Sequence, residues 1–377
     1  MKILVAPCAY KGTIEASHLA QAIAQGIKES QPSDNIEIAL APVADGGDDT
    51  LACLQLSIPG DLVYSSVIGP LGQPVEAAYW RRQSLAVVEL AQASGIAYLQ
   101  NRELSALRAH TFGTGQVIAR AIADGANEIV IMLGGSASTD GGSGVLAALG
   151  AEFYDFAGVK MTNDAICGGG SLYSVARIDL SALRTNIAGI KFLVATDVTN
   201  PLLGPLGAAA VFSPQKGASI EEVIYLEKAL EHFAALLEAA SNQSNISWRN
   251  HPGAGAAGGA GFGLVVGLGA QFTSGFHWLA EKTGLVDKLN WCDLVVVAEG
   301  CLDSQSLAGK ATGEILKLAQ AASKRVVAIP ACCQLKPEQA QLFAAVLTTA
   351  SQNQATLDSV RSAAQLIIGS SGASSRS

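Results

Sequence analysis

The chain has 377 residues, of which 49% are hydrophobic and only 15% charged, and it carries a formal net charge of −8. That balance excludes a disordered chain, and the absence of any basic run argues against a nucleic-acid partner. The length exceeds what one core organises, so two domains are expected.

Met1-Lys2 leads straight into an apolar strand, Lys2–Ala6, and not into an apolar run with a cleavage site, so no secretory leader is expected. A helix follows over Glu15–Lys28, with Ala16, Leu19, Ala20, Ile23 and Ile27 on one face. Pro32-Ser33-Asp34 reads as a turn and Ile36–Pro42 as a second strand. Asp45-Gly46-Gly47 comes next, then a helix from Asp48, whose side chain suits an N-cap. Three short strands, Leu62–Ile68, Val75–Trp80 and Leu85–Leu90, have hairpin spacing and argue for antiparallel structure.

A helix over Gly115–Asp124 and a strand over Glu128–Leu133 lead into the glycine-rich loop Gly134–Gly144 and a further helix, Val145–Leu149. Lys191–Val198 reads as a strand carrying Asp197, and Ile220–Ala240 as a long amphipathic helix. Gly253–Gly269 is a second glycine-rich segment. Strand–loop–helix alternation then returns, with strands at Leu294–Ala298, Arg325–Ile329 and Phe343–Thr348 and a helix from about Ala311. The tail Gly369–Ser377 reads as disordered. Alternation at both ends predicts an α/β protein: a Rossmann-like parallel-sheet domain built from residues 1–61 and 288–377, and an inserted mixed-sheet α/β domain of residues 62–287.

Seven cysteines without CxxC spacing suit a reduced, cytoplasmic protein. The longest uncharged window, between His251 and Glu281, is too rich in glycine for a good membrane helix, so no membrane association is expected. None of the five histidines pairs at metal-ligand spacing, which disfavours zinc. No Gly-x-Ser-x-Gly elbow ends a strand, which disfavours Ser-His-Asp hydrolysis.

The chemistry concentrates after strands. Lys11 follows the first, Asp45 the second, Asp140 lies in the loop after Leu133, and Asp197 ends Lys191–Thr196. Glu299, Asp303 and Lys310 fall in the expected loop between Ala298 and the helix at Ala311. In open α/β sheets, ligands sit beyond the carboxyl ends of strands, so two carboxylates and an amine there suit a phosphate and magnesium. This is not a Walker A loop, because eight residues separate Gly300 from Gly309 and Ala311 follows Lys310. Gly134, Gly135 and Ser136 open a candidate phosphate cradle to which Ser138 and Thr139 add hydroxyl donors; the bland alternative is a tight turn with Asp140 as a cap. Gly253–Gly269 has no apolar strand before it and reads better as a close-packed helix start or a lid than as a dinucleotide site. Lys216 lies in another Gly/Pro loop.

These segments together resemble the type-1 glycerate kinases: Ala6–Gly12 (APCAYKG), Ala44–Thr50 (ADGGDDT), Thr111–Gly115 (TFGTG), Gly134–Gly142 (GGSASTDGG), Ala195–Leu202 (ATDVTNPL), Ala208–Ala218 (AAAVFSPQKGA), Gly255–Gly261 (GAAGGAG) and Glu299–Lys310 (EGCLDSQSLAGK). They occur in order along almost the whole chain. The resemblance implies ATP-dependent, magnesium-requiring phosphorylation of D-glycerate, usually to 2-phosphoglycerate, between two α/β domains. It implies catalytic roles for Asp45, Asp197 and Lys310, substrate or phosphate binding by Lys11, Gly134, Gly135, Ser136, Asp140 and Lys216, and magnesium binding by Asp303. The chain departs from the family pattern at Cys8 (Asp or Asn is usual), Asp49 (Gly), Cys301 (Arg) and Thr312 (Pro), and in Pro330-Ala331-Cys332, where Ala-Gly is usual. Losing an arginine removes a planar bidentate donor that a lysine elsewhere does not replace. The alternatives are a kinase of another small hydroxy acid on the same fold and an inactive paralogue serving as a binding protein.

Overall fold

The computed structural model describes residues 1–30, 35–44, 46–47, 49–99, 104–163, 168–241, 247–307, 310–349 and 355–367. The expected turn at Pro32–Asp34, Asp45, Asp48 and the tail Gly369–Ser377 lie outside the described residues. The chain forms two compact units, one of residues 1–45, 52–59 and 276–377, the other of residues 46–51 and 60–275.

The first unit is a five-stranded, all-parallel sheet in the order Ala345–Val346, Arg325–Cys333, Leu294–Leu302, Lys2–Val5, Glu37–Leu40. Its central strands are continuous apolar runs because both faces are covered. Leu4, Val295 and Val297 pack on one face with Ile315, Leu316 and Ala319 of the Ala311–Ala321 helix. Ile3, Val5 and Val296 pack on the other with Leu19, Ile23 and Ile27 of the Ala16–Ser30 helix. Parallel strands with both faces buried lose the alternating polar pattern of half-exposed ones.

Two strands of this sheet run past their expected ends, the Arg325 strand reaching Cys333 and not stopping at Ile329. The Leu294 strand continues to Leu302, so Glu299, Gly300 and Cys301 belong to the strand and not to the loop after it. Gly300 and Pro330 suggest breaks in the sequence, yet each strand supplies the other's partners: Glu299 stands opposite Pro330, Cys301 opposite Cys332 and Leu302 opposite Cys333. Pro330 lacks an N–H, but its carbonyl still accepts from the Thr349 amide at 3.0 Å.

The second unit holds a six-stranded mixed sheet in the order Gln271–Thr273, Lys191–Ala195, Glu128–Met132, Leu85–Glu89, Pro74–Arg82, Asp61–Ile68. The first four strands are parallel and the last two pair antiparallel, as the hairpin spacing anticipates. Val75, Ala77 and Tyr79 alternate into its core, where Leu226, Leu230, Phe233 and Leu237 of the Ile220–Ser241 helix meet them. The second glycine-rich segment is a helix, Ala256–Leu268, with Ala257, Gly258 and Gly259 in left-handed conformation at its start. No helix among the described residues is long and apolar enough to cross a membrane.

Candidate functional site

In the second unit the loop after Glu128–Met132 is held from within by Asp140. Its carboxylate, fully buried, accepts from the Thr111 amide and hydroxyl, both at 2.8 Å, and from the Gly142 and Gly144 amides at 3.1 and 3.3 Å. The Thr111 hydroxyl oxygen then accepts from the Val145 amide at 3.1 Å. Asp140 therefore ties the start of the Phe112–Ala123 helix to the start of the Ser143–Ala148 helix. The latter has only six residues, so the carboxylate and not a long helix axis sets the local electrostatics.

Lys216 reaches the same loop from a 3-10 turn, Pro214–Lys216. Its side chain is buried, and Nζ donates to the Ser136 hydroxyl at 2.8 Å and to the Ser138 carbonyl. Burial pushes its ammonium down to about 7, with the Asp140 charge acting in the opposite sense. Gly134 donates to the Gly46 carbonyl at 3.0 Å, and Gly135, with φ +73°, is exposed at the loop's turn. The hydroxyls of Ser138, Thr139 and Ser143 are buried without a hydrogen-bond partner. A buried polar group without a protein partner costs about 1–3 kcal/mol unless water satisfies it.

The second glycine-rich run explains how this loop stays compact. Gly258 accepts from the Gly141 amide at 3.0 Å, and a Cβ on Gly258 would collide with the Ser138 carbonyl. The segment is a packing platform under the loop, in line with the close-packed reading of its sequence. On the same sheet edge, Asp197 is exposed two residues past Lys191–Ala195, and its Oδ1 accepts from the Ser274 hydroxyl at 2.6 Å.

In the first unit, the Leu294–Leu302 strand end and the turn after it form a separate group. Lys310 Nζ lies 3.8 Å from Glu299 Oε1, while Glu299 Oε2 is buried without a hydrogen-bond partner. Asp303 caps the short Ser304–Leu307 helix: Oδ1 accepts from the Ser306 amide at 2.9 Å, and the Asp303 amide donates to the Ser306 hydroxyl at 3.2 Å. That amide bond, more than the nearby Lys310 charge, holds the Asp303 carboxyl below its ordinary range. Lys11 is exposed in a loop anchored by its neighbour, whose Tyr10 hydroxyl donates to the Ile329 carbonyl at 2.7 Å. The Tyr10–Lys11 backbone passes against Gly300.

The structure thus gathers Gly134, Gly135, Ser136, Asp140 and Lys216 in one cluster, and Glu299, Asp303 and Lys310 in another beside Lys11. Asp45 lies outside the described residues. Sequence reasoning left Thr111 and Ser143 without roles, and it set Glu299 in a loop. The Thr111–Asp140 contact spans 29 residues and has no local signature.

Loops of Gly and Ser, with carboxylates and lysines at sheet carboxyl ends of two α/β units, are the parts that an enzyme of the kinase class uses. The glycerate kinase family model matches residues 3–372. The chain is 38% identical to the glycerate 2-kinase of Escherichia coli K12 over 331 residues, 87% of this chain and 84% of that one. It is 37% identical to the glycerate kinase of Bacillus subtilis 168 over the same shares. The crystal structure of a candidate glycerate kinase 2 from Salmonella typhimurium LT2 superposes with a TM-score of 0.80 at 33% identity, covering 97% of this chain and 96% of that one. The chain belongs to the glycerate kinase family.

Proposed function

We propose that this chain transfers the γ-phosphoryl group of ATP to a hydroxyl of D-glycerate, giving 2-phosphoglycerate. The observation that carries the reading is the Asp140-centred loop, whose exposed Gly135 turn suits phosphate oxygens, on a chain whose relatives include glycerate kinases.

Phosphoryl transfer asks a protein for positioning and charge neutralisation more than for covalent chemistry. Gly134, Gly135 and Ser136 would line the phosphates. Asp140 and Lys216 would act one step back, by fixing the loop that does so. Asp197, exposed and oriented by Ser274, and Asp45 are the carboxylates that would accept the hydroxyl proton. Lys11 and Lys310 would neutralise the transferred group or the glycerate carboxylate.

Magnesium is normally held by one or two carboxylates plus substrate phosphates. Glu299 and Asp303 fit that donor set: Glu299 Oε2 is a buried oxygen without a partner, and Asp303 is held ionised. Among the described residues no group of three or more His, Cys, Asp or Glu is placed to cage a metal. Held by Glu299 and Asp303, magnesium would neutralise negative charge that develops in phosphoryl transfer.

The test is ADP release by the purified protein with ATP, magnesium and a panel of small hydroxy acids. D-Glycerate giving the highest kcat/KM supports the reading. A different hydroxy acid far ahead of it, or no turnover of any, contradicts it.

A further inference from the structure

Several described cysteines lie at the carboxyl end of the parallel sheet, and two of them face each other. Cys301, half-buried, and Cys332, exposed, are direct partners on adjacent parallel strands, and both are free thiols. Neighbouring strands run about 4.8 Å apart, and disulfides span Cα separations of about 4.4–6.8 Å, so the register meets the first requirement for a bond. Residues in register share a face, so the two side chains project to the same side of the pleat. The other thiols are placed differently. Cys333 follows Cys332, points to the opposite face of the pleat and packs against the core that holds Leu302. The Cys8 thiol contacts the Thr312 hydroxyl at 3.5 Å.

We infer that Cys301 and Cys332 are a redox modification site, a dithiol that closes to a reversible disulfide across the two strand ends. The oxidant is a low-molecular-weight disulfide of the glutathione class. The exposed Cys332 thiolate attacks one sulfur of that disulfide, forming a mixed disulfide and releasing one small thiolate. The Cys301 thiolate then attacks the Cys332 sulfur and releases the second. Two protein thiols are oxidised, one small disulfide is reduced to two thiols, and the protons pass to the departing thiolates. Surface disulfides of this kind are the labile, regulatory ones.

The bond would bear on the proposed magnesium turn. The Ser306 hydroxyl donates to the Cys301 carbonyl at 3.2 Å, and Ser306 also holds Asp303 through its amide. Clamping Cys301 therefore constrains the residue that orients Asp303. This second step rests on the kinase reading, whereas the disulfide itself does not.

The experiment treats reduced protein with oxidised glutathione, blocks the remaining thiols, and maps linked peptides by mass spectrometry. A Cys301–Cys332 link is expected in the wild type and in Cys333→Ser, cleaved by dithiothreitol and absent from Cys332→Ser. Cys332 found only as a mixed disulfide with glutathione, or linked to Cys333 or Cys8, overturns the proposal. In the same samples, turnover of D-glycerate should fall several-fold on oxidation, return on reduction, and stay level in Cys332→Ser. A formed link with unchanged turnover overturns the coupling to the Asp303 turn. A reduced enzyme without any turnover contradicts the kinase reading and leaves the peptide map to decide the disulfide.

Discussion

The Thr111 hydroxyl and amide both donate to one carboxylate oxygen of Asp140, each at 2.8 Å, across 29 residues of chain. This pair joins two helix starts that nothing local would hold together. Asp140 has no exposure and receives four hydrogen bonds, so its charge is compensated inside the protein.

Asp140→Asn should therefore destabilise the second unit by about 2–4 kcal/mol, since an amide turns an NH2 group against donors that need an acceptor. Thr111→Val, which keeps the amide bond and loses the hydroxyl, should cost less, about 1–2 kcal/mol. Urea melts of the two variants give both values. Equal stability of Asp140→Asn and wild type would mean that the buried carboxylate is not the organising group.

Lys216 makes a pH prediction whose sign follows from burial. Its folded pKa, about 7, lies below the ordinary lysine value of 10.5. Between those values the unfolded chain binds a proton that the folded chain does not, so the contribution of this group to stability rises with pH from about 7 to 10.5 and is lowest below 7. The span amounts to a few kcal/mol at roughly 1.4 kcal/mol per pH unit. Lys216→Met loses the bonds to Ser136 and Ser138 at every pH but should flatten this rise. The measurement is the stability difference between variant and wild type at pH 7 and pH 9.5. A difference that does not change with pH would contradict a neutralised buried lysine.

Gly258→Ala tests the platform under the loop. Gly258 has φ +66°, and a Cβ would run into the Ser138 carbonyl, which is backbone and cannot swing aside. The strain and the collision together should cost about 2 kcal/mol or more. Gly269→Ala, at φ +69° with open space around the Cβ, isolates the conformational part and should cost about 1 kcal/mol. Equal losses at both positions would remove the packing role of Gly258.

Much of this was legible in the sequence, for identifiable reasons. Ile3–Val5 and Leu294–Ala298 are apolar at every position, which is how parallel strands covered on both faces read, and the hairpin spacing between Leu62 and Leu90 announced the antiparallel edge. What stayed hidden depended on partners distant in sequence. Gly300 and Pro330 look like breakers until each strand is seen to complete the other, so Glu299 was expected in a loop. Lys216 looks like any loop lysine until the fold buries it over Ser136 and Ser138. The hydroxyls of Ser138, Thr139 and Ser143 were visible as a composition, but their lack of partners is a tertiary property.

Asp303→Asn separates charge from structure at the proposed metal position. Asn caps helices about as well as Asp, so the bond to the Ser306 amide and the short helix should survive with little loss of stability. The lost charge should lower kcat by about a hundredfold, in keeping with several kcal/mol of transition-state stabilisation through a metal, and raise the magnesium concentration needed for half-maximal rate. A magnesium titration unchanged from wild type would remove Asp303 from the metal site.

The most direct test of the account is the identity of the product. Reduced wild-type protein, incubated with ATP, magnesium and D-glycerate, should release ADP in step with 2-phosphoglycerate, identified by phosphorus NMR against both phosphoglycerate isomers. Appearance of 3-phosphoglycerate instead would contradict the proposed acceptor hydroxyl. ADP release that does not depend on D-glycerate, with no phosphorylated acid formed, would contradict the assignment of this chain as an active glycerate kinase.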